Sequence, residues 1–396
     1  MNDPAETRNF WLLVLAGAAV TAVGLGAAHV MERHGHAVTG MSNQVVWGLP
    51  HVFAIFMIVA ASGVLNVASI GSVFGQTVYK PRAPLSGLLS LAMLAGGLMV
   101  LMLDLGRPDR VIVAATHYNF RSVFAWNVFL YSGMAAIVAV YLWTMFERRM
   151  NRWSKAAGIA ALVWRFVLTS GTGSIFGFLV ARQAYQSALL APLFIVLSFG
   201  WGLAVFLVVQ SSMYAWNGVV LAPAVQRRLA RLLGVFVAAS LYLVAVYHVT
   251  NLYFARQQAF EAFILLGRAD PGAVFAGLFW GGWALLGSLL PLVLLLHPRL
   301  GGPRATLLAA ALVVAGAFAL LFVFIVGGQS FPLEIFPGHE AASSFADGAV
   351  ETYRPRWPEW LLGLGGVGAA FLLTTIGVRV LDFLPQDDLA ALQREA

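Results

Sequence analysis

W-G-L-P-H-V-F-A-I-F-M-I-V-A-A-S-G-V-L-N-V-A-S-I-G-S-V-F-G, residues 47–75, runs without a single Asp, Glu, Lys or Arg. Crossing the hydrocarbon core of a bilayer takes roughly 20 apolar residues as a helix, and this stretch exceeds that. Nine further runs of the same kind begin near Phe10, Pro84, Val123, Ala156, Leu189, Leu232, Pro271, Thr306 and Trp360. The pattern predicts helices near 10–31, 47–75, 84–104, 123–146, 156–182, 189–214, 232–255, 271–296, 306–328 and 360–384. Spanning strands would be about 10 residues long and alternate polar with apolar, which these runs do not.

The composition agrees. The 396 residues are 60% hydrophobic and 10% charged, whereas charged residues make up about a quarter of a water-soluble domain. The sequence therefore predicts an all-α integral membrane protein, a single polytopic domain over 1–396. Its net charge of +7 reports topology rather than nucleic-acid binding. Ten spans put both termini on one face, and fourteen of the Lys and Arg residues fall on that face against nine on the other; Arg165, inside the fifth span, completes the 24. The positive-inside rule then places both termini in the cytoplasm. The first run reads as a retained anchor helix rather than a cleaved signal, because it is long and no A-x-A site follows.

The chain has no cysteine, so it holds no thiolate for an iron–sulfur cluster. Most loops are short, which predicts antiparallel neighbours in a compact bundle. The exception, 329–359, is expected on the extracytoplasmic side, as a solvated loop or as a lid for a partner; it carries Glu334, His339, Glu340, Asp347, Glu351 and Glu359. Gly363 to Gly368 spells G-x-G-x-x-G, but no strand precedes it, so it reads as close helix packing instead of a dinucleotide site. The G-x-x-x-G pairs Gly173/Gly177 and Gly277/Gly281 read the same way.

With cytoplasmic termini, His51 and Asn127 lie near the outer starts of helices two and four. Asp104, Arg182, His248 and Asn251 lie at the outer ends of helices three, five and seven. Polar groups in a membrane are costly unless they pair or serve a ligand, so their convergence at one depth marks a candidate site. A quinone head group suits it, with two carbonyls to hydrogen-bond and two protons to exchange; a histidine relays protons near neutral pH. His51, following Pro50 at a helix opening, is the first choice as the catalytic group, with Asp104, Arg107, Asn127, His248 and Asn251 as further binding residues. The alternative for Asp104, Arg107, Asp109 and Arg110 is a charged network that fixes a turn. Arg165 lies about 15 Å into the fifth span, either beside a candidate proton path with Ser170, Thr172 and Ser174 or snorkelling to the cytoplasm. No Asp or Glu occupies the middle of a span, so a carboxylate-based proton pump is not supported.

W-G-L-P-H at 47–51, D-L-G-R-P-D-R at 104–110, Y-N-F-R-S-V-F-A-W-N-V-F-L-Y at 118–131, Y-H-V-T-N-L-Y-F at 247–254 and F-E-A-F-I-L at 260–265 together resemble the NrfD/PsrC family. These are the membrane subunits of quinone-linked molybdopterin and sulfur-metabolism complexes, and the likeness is greatest to the ten-helix DsrP type. The resemblance implies two four-helix bundles with flanking helices, a quinol site in the first bundle at the outer face, and a ferredoxin-like iron–sulfur subunit docked there. It places His51 at the quinone-contacting histidine and Asp104 and Arg107 in the D-L-G-R-P element. The implied activity is that of a quinone-reactive membrane subunit of an oxidoreductase in a bacterial inner membrane, not a complete enzyme. The quinone is menaquinone or ubiquinone, with no metal or haem bound by this chain. A haem b cytochrome, using His51 and His248 as axial ligands, and a secondary transporter with a midplane site are the competing classes.

Overall fold

The computed structural model describes residues 4–218, 221–297, 300–333 and 348–381, apart from the side chains of residues 4–7 and 114. Those residues form helices and connecting segments, with no strand among them. Ten helices are long and apolar enough to cross a membrane: α1 Arg8–His34, α2 Leu49–Ser72, α3 Thr77–Leu103, α4 Val123–Phe146, α5 Asn151–Gly177, α6 Leu190–Trp216, α7 Pro223–Tyr253, α8 Gly272–Leu296, α9 Pro303–Ser330 and α10 Trp357–Leu381. The protein is a multi-pass integral membrane protein.

The helices α2–α5 form one four-helix bundle and α6–α9 a second, with α1 and α10 packed on each other and α10 on α3. Because α6 follows α2 by an even number of crossings, the two bundles run in parallel, and the end that carries the α2 start also carries the α6 start. The bundles meet where α2 crosses α6. A Cβ on Gly63 would sit well under 3.0 Å from the Ser198 carbonyl oxygen, and one on Gly202 would strike the Gly63 backbone. Only glycine lets the two backbones approach so closely.

Glycine also seats the flanking pair. Cβ atoms at Gly24 and Gly365 would overlap each other's backbones, and Gly366 lies against the Gly96 carbonyl. The G-x-G-x-x-G run is thus a helix-packing face, as its context predicted. Gly173 and Gly177 likewise abut the backbone of Leu190 and Ser187 at the start of α6. Gly277 and Gly281 depart from the expectation: nothing among the described residues lies within 4 Å of a Cβ at either, so their small size closes no contact inside this chain.

Helix boundaries shift where charge or a turn misleads the apolar count. The seventh helix begins at Pro223 rather than near 232, because Pro223 is preorganised for a first turn and the Arg227, Arg228 and Arg231 turn continues as helix beyond the apolar run. The fifth ends at Gly177 instead of near 182, so Arg182 sits in the connection; its guanidinium donates to the carbonyls of Gln329 at 3.0 Å and Gln44 at 2.7 Å. The loop expected from 329 starts later, since Gln329 and Ser330 complete α9. Of its charged residues, Glu334, His339, Glu340 and Asp347 lie outside the described residues.

The second helix is interrupted at Leu65. Backbone groups freed inside a membrane must find partners within the protein. Ser86 Oγ donates to Val64 O at 2.7 Å, Ser90 Oγ to Ala61 O at 2.8 Å, and Arg165 Nη1 to Ser62 O at 3.2 Å and to Asn66 Oδ1 at 2.8 Å. Arg165 is 4% exposed and its guanidinium lies over the rings of Phe166 and Phe199. It does not snorkel: its hydrogen bonds go to the break in α2.

Candidate functional site

The α2 start is built to present His51. Pro50 occupies the first turn, where a missing N–H costs nothing. The Leu49 N–H donates to the Tyr353 hydroxyl at 2.6 Å. Tyr353 in turn donates to Glu359, whose other oxygen accepts from the backbone N–H groups of Gly40 at 2.7 Å and Arg356 at 2.8 Å. Glu359 is fully buried. Burial first, then the adjacent carboxylate and the hydrogen bond to it, push the Tyr353 phenol above its ordinary range, so it stays a proton donor to Glu359. The two residues fasten α10 to the α2 start one turn from His51. Removing the hydroxyl leaves a buried carboxylate and a buried N–H each short of a partner, at about 1–3 kcal/mol. Tyr353→Phe is accordingly expected to lower folding stability by about 2 kcal/mol in denaturant titration of the detergent-solubilised protein; an unchanged midpoint would show that water replaces the hydroxyl at no cost.

Trp47 completes the frame. Its indole stacks on the His51 imidazole, centroids 5.3 Å apart and planes 10° apart, and meets the Phe176 ring edge-on. Its backbone is held from both sides by the Gln329 side chain, which accepts from the N–H groups of Val46 and Trp47 at 3.0 Å and donates to Trp47 O at 2.9 Å. Gln44 bonds the carbonyls of Ser330 and Ala349 at 3.0 Å, and Ser42 donates to Glu351 at 2.7 Å. The described half of the long loop is thereby drawn over the 39–48 segment.

Asp104, at the C-terminal cap of α3, faces this histidine: Oδ2 lies 3.5 Å from His51 Nδ1, with the side chains 5% and 14% exposed. The Asp104 carbonyl accepts from His36 Nε2 at 3.1 Å. Two buried atoms of the pair, His51 Nδ1 and Asp104 Oδ1, have no hydrogen-bond partner. Buried polar atoms are nearly always satisfied, so this pair has hydrogen-bonding capacity left over for a water or a ligand. A cleft of about 620 Å³, its open mouth included, lies between the ends of α1 and α3, lined by His29, Glu32, His36, Leu103 and Gly106 among others but by neither His51 nor Asp104; His36 connects it to the Asp104 carbonyl.

Other residues expected at this site lie elsewhere. Arg107 turns outward, paired with Asp109 through two bonds of 3.0 and 2.9 Å; both are mostly exposed, and the Arg107 bond holds the Asp109 carboxyl below its usual range. Arg107 thus pairs locally, two residues along the chain, and makes no contact with His51 or Asp104 among the described residues. Asn127 is buried in the first turn of α4 but its amide donates to Val123 O and Gly171 O, facing α5, while its Oδ1 is unsatisfied. His248 and Asn251 join a different cluster: His248 Nδ1 lies 2.7 Å from Glu261 Oε2, and Asn251 Nδ2 donates to Glu261 Oε1 at 2.7 Å. Glu261 is fully buried. The two clusters are linked through the rings of Trp47, Phe176, Phe324 and Tyr247.

Of the candidate proton path, Thr172 Oγ1 donates to Leu168 O at 3.0 Å within its own helix, and Ser170 is half-buried. Sequence reasoning missed Glu261, Glu359, Tyr353 and Gln329. The signal for Glu261 was present, a lone carboxylate inside A-F-E-A-F-I-L-L; Glu359 and Gln329 were hidden by assignment to a loop.

Two parallel four-helix bundles flanked by two further spans, with a histidine–carboxylate pair at the same end of each bundle, define a polytopic membrane protein with end-of-bundle polar clusters. The chain belongs to the polysulphide reductase NrfD family, whose model matches residues 37–333, the whole of both bundles. It is similar to the Hdr-like menaquinol oxidoreductase integral membrane subunit of Archaeoglobus fulgidus, at 30% identity over 96% of this chain and 95% of that protein. The menaquinone reductase integral membrane subunit of Nitratidesulfovibrio vulgaris is 22% identical over 92% of this chain and 89% of its own length.

Proposed function

We propose that this protein is the quinone-reactive subunit of a multi-subunit oxidoreductase in a bacterial inner membrane. It exchanges electrons between the menaquinone or ubiquinone pool and a ferredoxin-like iron–sulfur subunit docked on the extracytoplasmic face, the face that carries the α2 start. The observation that carries this reading is the unsatisfied His51–Asp104 pair beside Trp47. The names of the Archaeoglobus and Nitratidesulfovibrio relatives, both quinone-linked membrane subunits, support the ligand class.

A quinol loses two electrons and two protons when it is oxidised. The His51 imidazole accepts one hydroxyl proton and the Asp104 carboxylate the other; His51 Nδ1 and Asp104 Oδ2 face each other at 3.5 Å, and Asp104 Oδ1 has no hydrogen-bond partner. Trp47 keeps the imidazole plane fixed, and the Tyr353–Glu359 clasp fixes the helix start that carries it. The protons leave through the α1–α3 cleft by way of His36, Glu32 and His29. The electrons pass to the partner, since this chain has no cysteine. In the reverse direction the same groups deliver the protons. The haem alternative is disfavoured because His51 and His248 each face a carboxylate of their own, with the aromatic row between them.

Affinity isolation from native membranes tests the assignment, with a cluster-bearing subunit expected in stoichiometric amount and no haem absorption in this chain. Isolation alone, or a b-type spectrum, would contradict it. A transverse proton path past Arg165, Ser170 and Thr172 is part of the proposal, supported by the unpartnered Arg165 Nε and Ser62 Oγ at that depth. In proteoliposomes of the complex, Arg165→Gln is expected to halve or abolish proton movement per electron while turnover persists; unchanged proton movement would remove the path.

A further inference from the structure

The connection from α3 to α4 carries large apolar side chains that the rest of the chain leaves open. Phe120 is 65% exposed, and Ile112, on the short helix Val111–Thr116, is 69% exposed. Exposed apolar groups gathered in one connection mark a contact surface. What they contact follows from where α4 holds them.

The connection folds back along the outer side of α4. The Tyr118 ring lies against that of Phe129, centroids 4.2 Å apart, and its hydroxyl donates to the Ala125 carbonyl. The Trp126 indole donates to Phe120 O at 2.8 Å and meets the Phe120 ring edge-on. Phe129 is well inside the helix that opens at Val123, about 9 Å along it by helical rise. It begins a stripe continued by Ser132, Ala136 and Val140 that is exposed along α4, whereas Asn127, Tyr131 and Met134 are buried against the bundle. In a spanning helix the exposed stripe is the side that meets lipid. Tyr118 and Phe120 therefore sit beside the first turns of a lipid-facing surface, at the depth of the aromatic belt, where rings bridge head groups and acyl chains.

Charge narrows the partner. Beyond the buried Asp104, the connection carries Arg107, Arg110 and Arg121 against a single acid, Asp109. Arg107 is taken by Asp109, and the guanidiniums of Arg110 and Arg121 make no ion pair among the described residues. Beside rings at the membrane surface, an unpaired guanidinium meets phosphate, whose oxygens its planar fork binds in pairs. We infer that the α3–α4 connection is an interfacial lipid-binding surface, with Phe120 and Ile112 dipping into the leaflet at the α2-start end of the molecule and Arg110 and Arg121 on the phosphates of anionic phospholipids. The inference rests on the membrane-spanning fold and is independent of the quinone chemistry proposed above. It gives the chain a lateral anchor in the segment that directly follows Asp104.

Because the chain has no cysteine, a single thiol can be introduced and spin-labelled at will. The test places it in turn at Phe120→Cys, Ile112→Cys, Ala136→Cys on the lipid-facing stripe and Arg148→Cys in the turn after α4. The complex is held in nanodiscs of phosphatidylcholine and phosphatidylglycerol, and collisions with oxygen, which enters lipid, are compared with those of a water-soluble nickel chelate. The labels replacing Phe120 and Ile112 are expected to give an oxygen-to-nickel ratio at least threefold above that of the Arg148→Cys label and below that of the Ala136→Cys label. A ratio equal to that of the Arg148→Cys label at either position overturns the inference. Labels shielded from both reagents in the complex, and freed when the chain is purified alone, overturn it too, because a protein subunit would then cover this surface. Native mass spectrometry of the unlabelled complex tests the arginines. Replacing both, Arg110→Gln with Arg121→Gln, is expected to lower retained phosphatidylglycerol relative to phosphatidylcholine at least threefold. Both side chains are exposed, so the fold is not at stake, and an unchanged ratio overturns the assignment to anionic lipid.

Discussion

His51→Ala is expected to lower quinol-linked turnover of the assembled complex at least a hundredfold, with the subunit still inserted and its partners still bound. A hundredfold loss corresponds to about 2.7 kcal/mol of transition-state stabilisation, within the range that general acid–base groups supply. The substitution removes the proton acceptor, and it also frees Trp47 from its stacking partner. Assembly survives because the α2 start is fixed by other groups: Tyr353 on Leu49 N, and Gln329 on the Trp47 backbone. Asp104→Asn provides the matching test. It keeps the shape and removes the charge, so it should slow turnover by at least tenfold while leaving quinone affinity within a few-fold. Turnover of His51→Ala within threefold of wild type, measured with the complex intact, would remove His51 from the reaction.

Gly63→Ala should be the most destabilising glycine-to-alanine change among the described residues. The added carbon falls on the carbonyl of Ser198, a backbone group that has no rotamer to escape into, and Gly202 on the facing helix has the same problem in reverse. The α2 and α6 axes must separate, and the bundles lose packing along their shared seam. Overpacking of this kind costs about 3 kcal/mol, against a gain of up to about 1 kcal/mol from replacing glycine by alanine in a helix. Gly281→Ala is the control, since its Cβ meets open space, and it should be neutral or slightly stabilising. Denaturant titration of the two variants in detergent decides the matter: equal midpoints would mean that the bundles do not rely on this crossing.

The contrast between those two glycines shows what the sequence makes legible. All ten spans could be read from hydropathy because the bilayer imposes length and composition on each helix independently of its neighbours. The Gly173/Gly177 and Gly277/Gly281 pairs look alike in sequence, yet only the first meets a neighbouring backbone, because facing partners are set by tertiary rotation. Among the candidate residues, His51 at the start of α2 and Asp104 at the end of α3 could be placed on one face by counting along their spans, and they lie 3.5 Å apart. The place of Arg107 was not legible, since the chain turns at Gly106 and sends its side chain outward to Asp109. His248 and Asn251 lie at the depth anticipated, but Glu261 in the next short helix takes both, which separates them from His51. Arg165 illustrates the same limit: its depth could be counted along α5, whereas the interruption of α2 that occupies it involves residues far away in the chain, at Ser62 and Asn66.

Photolabelling the complex with an azido-quinone and mapping the adducts bears most directly on the central claim, that a quinone head group sits between His51 and Asp104 at the end of the first bundle. Adducts are expected within Trp47–Phe53 and Leu103–Gly106, suppressed by excess unlabelled quinone. Adducts confined to the middle of the helices, around Ser62, Asn66 and Arg165, with none in those two segments, would contradict it.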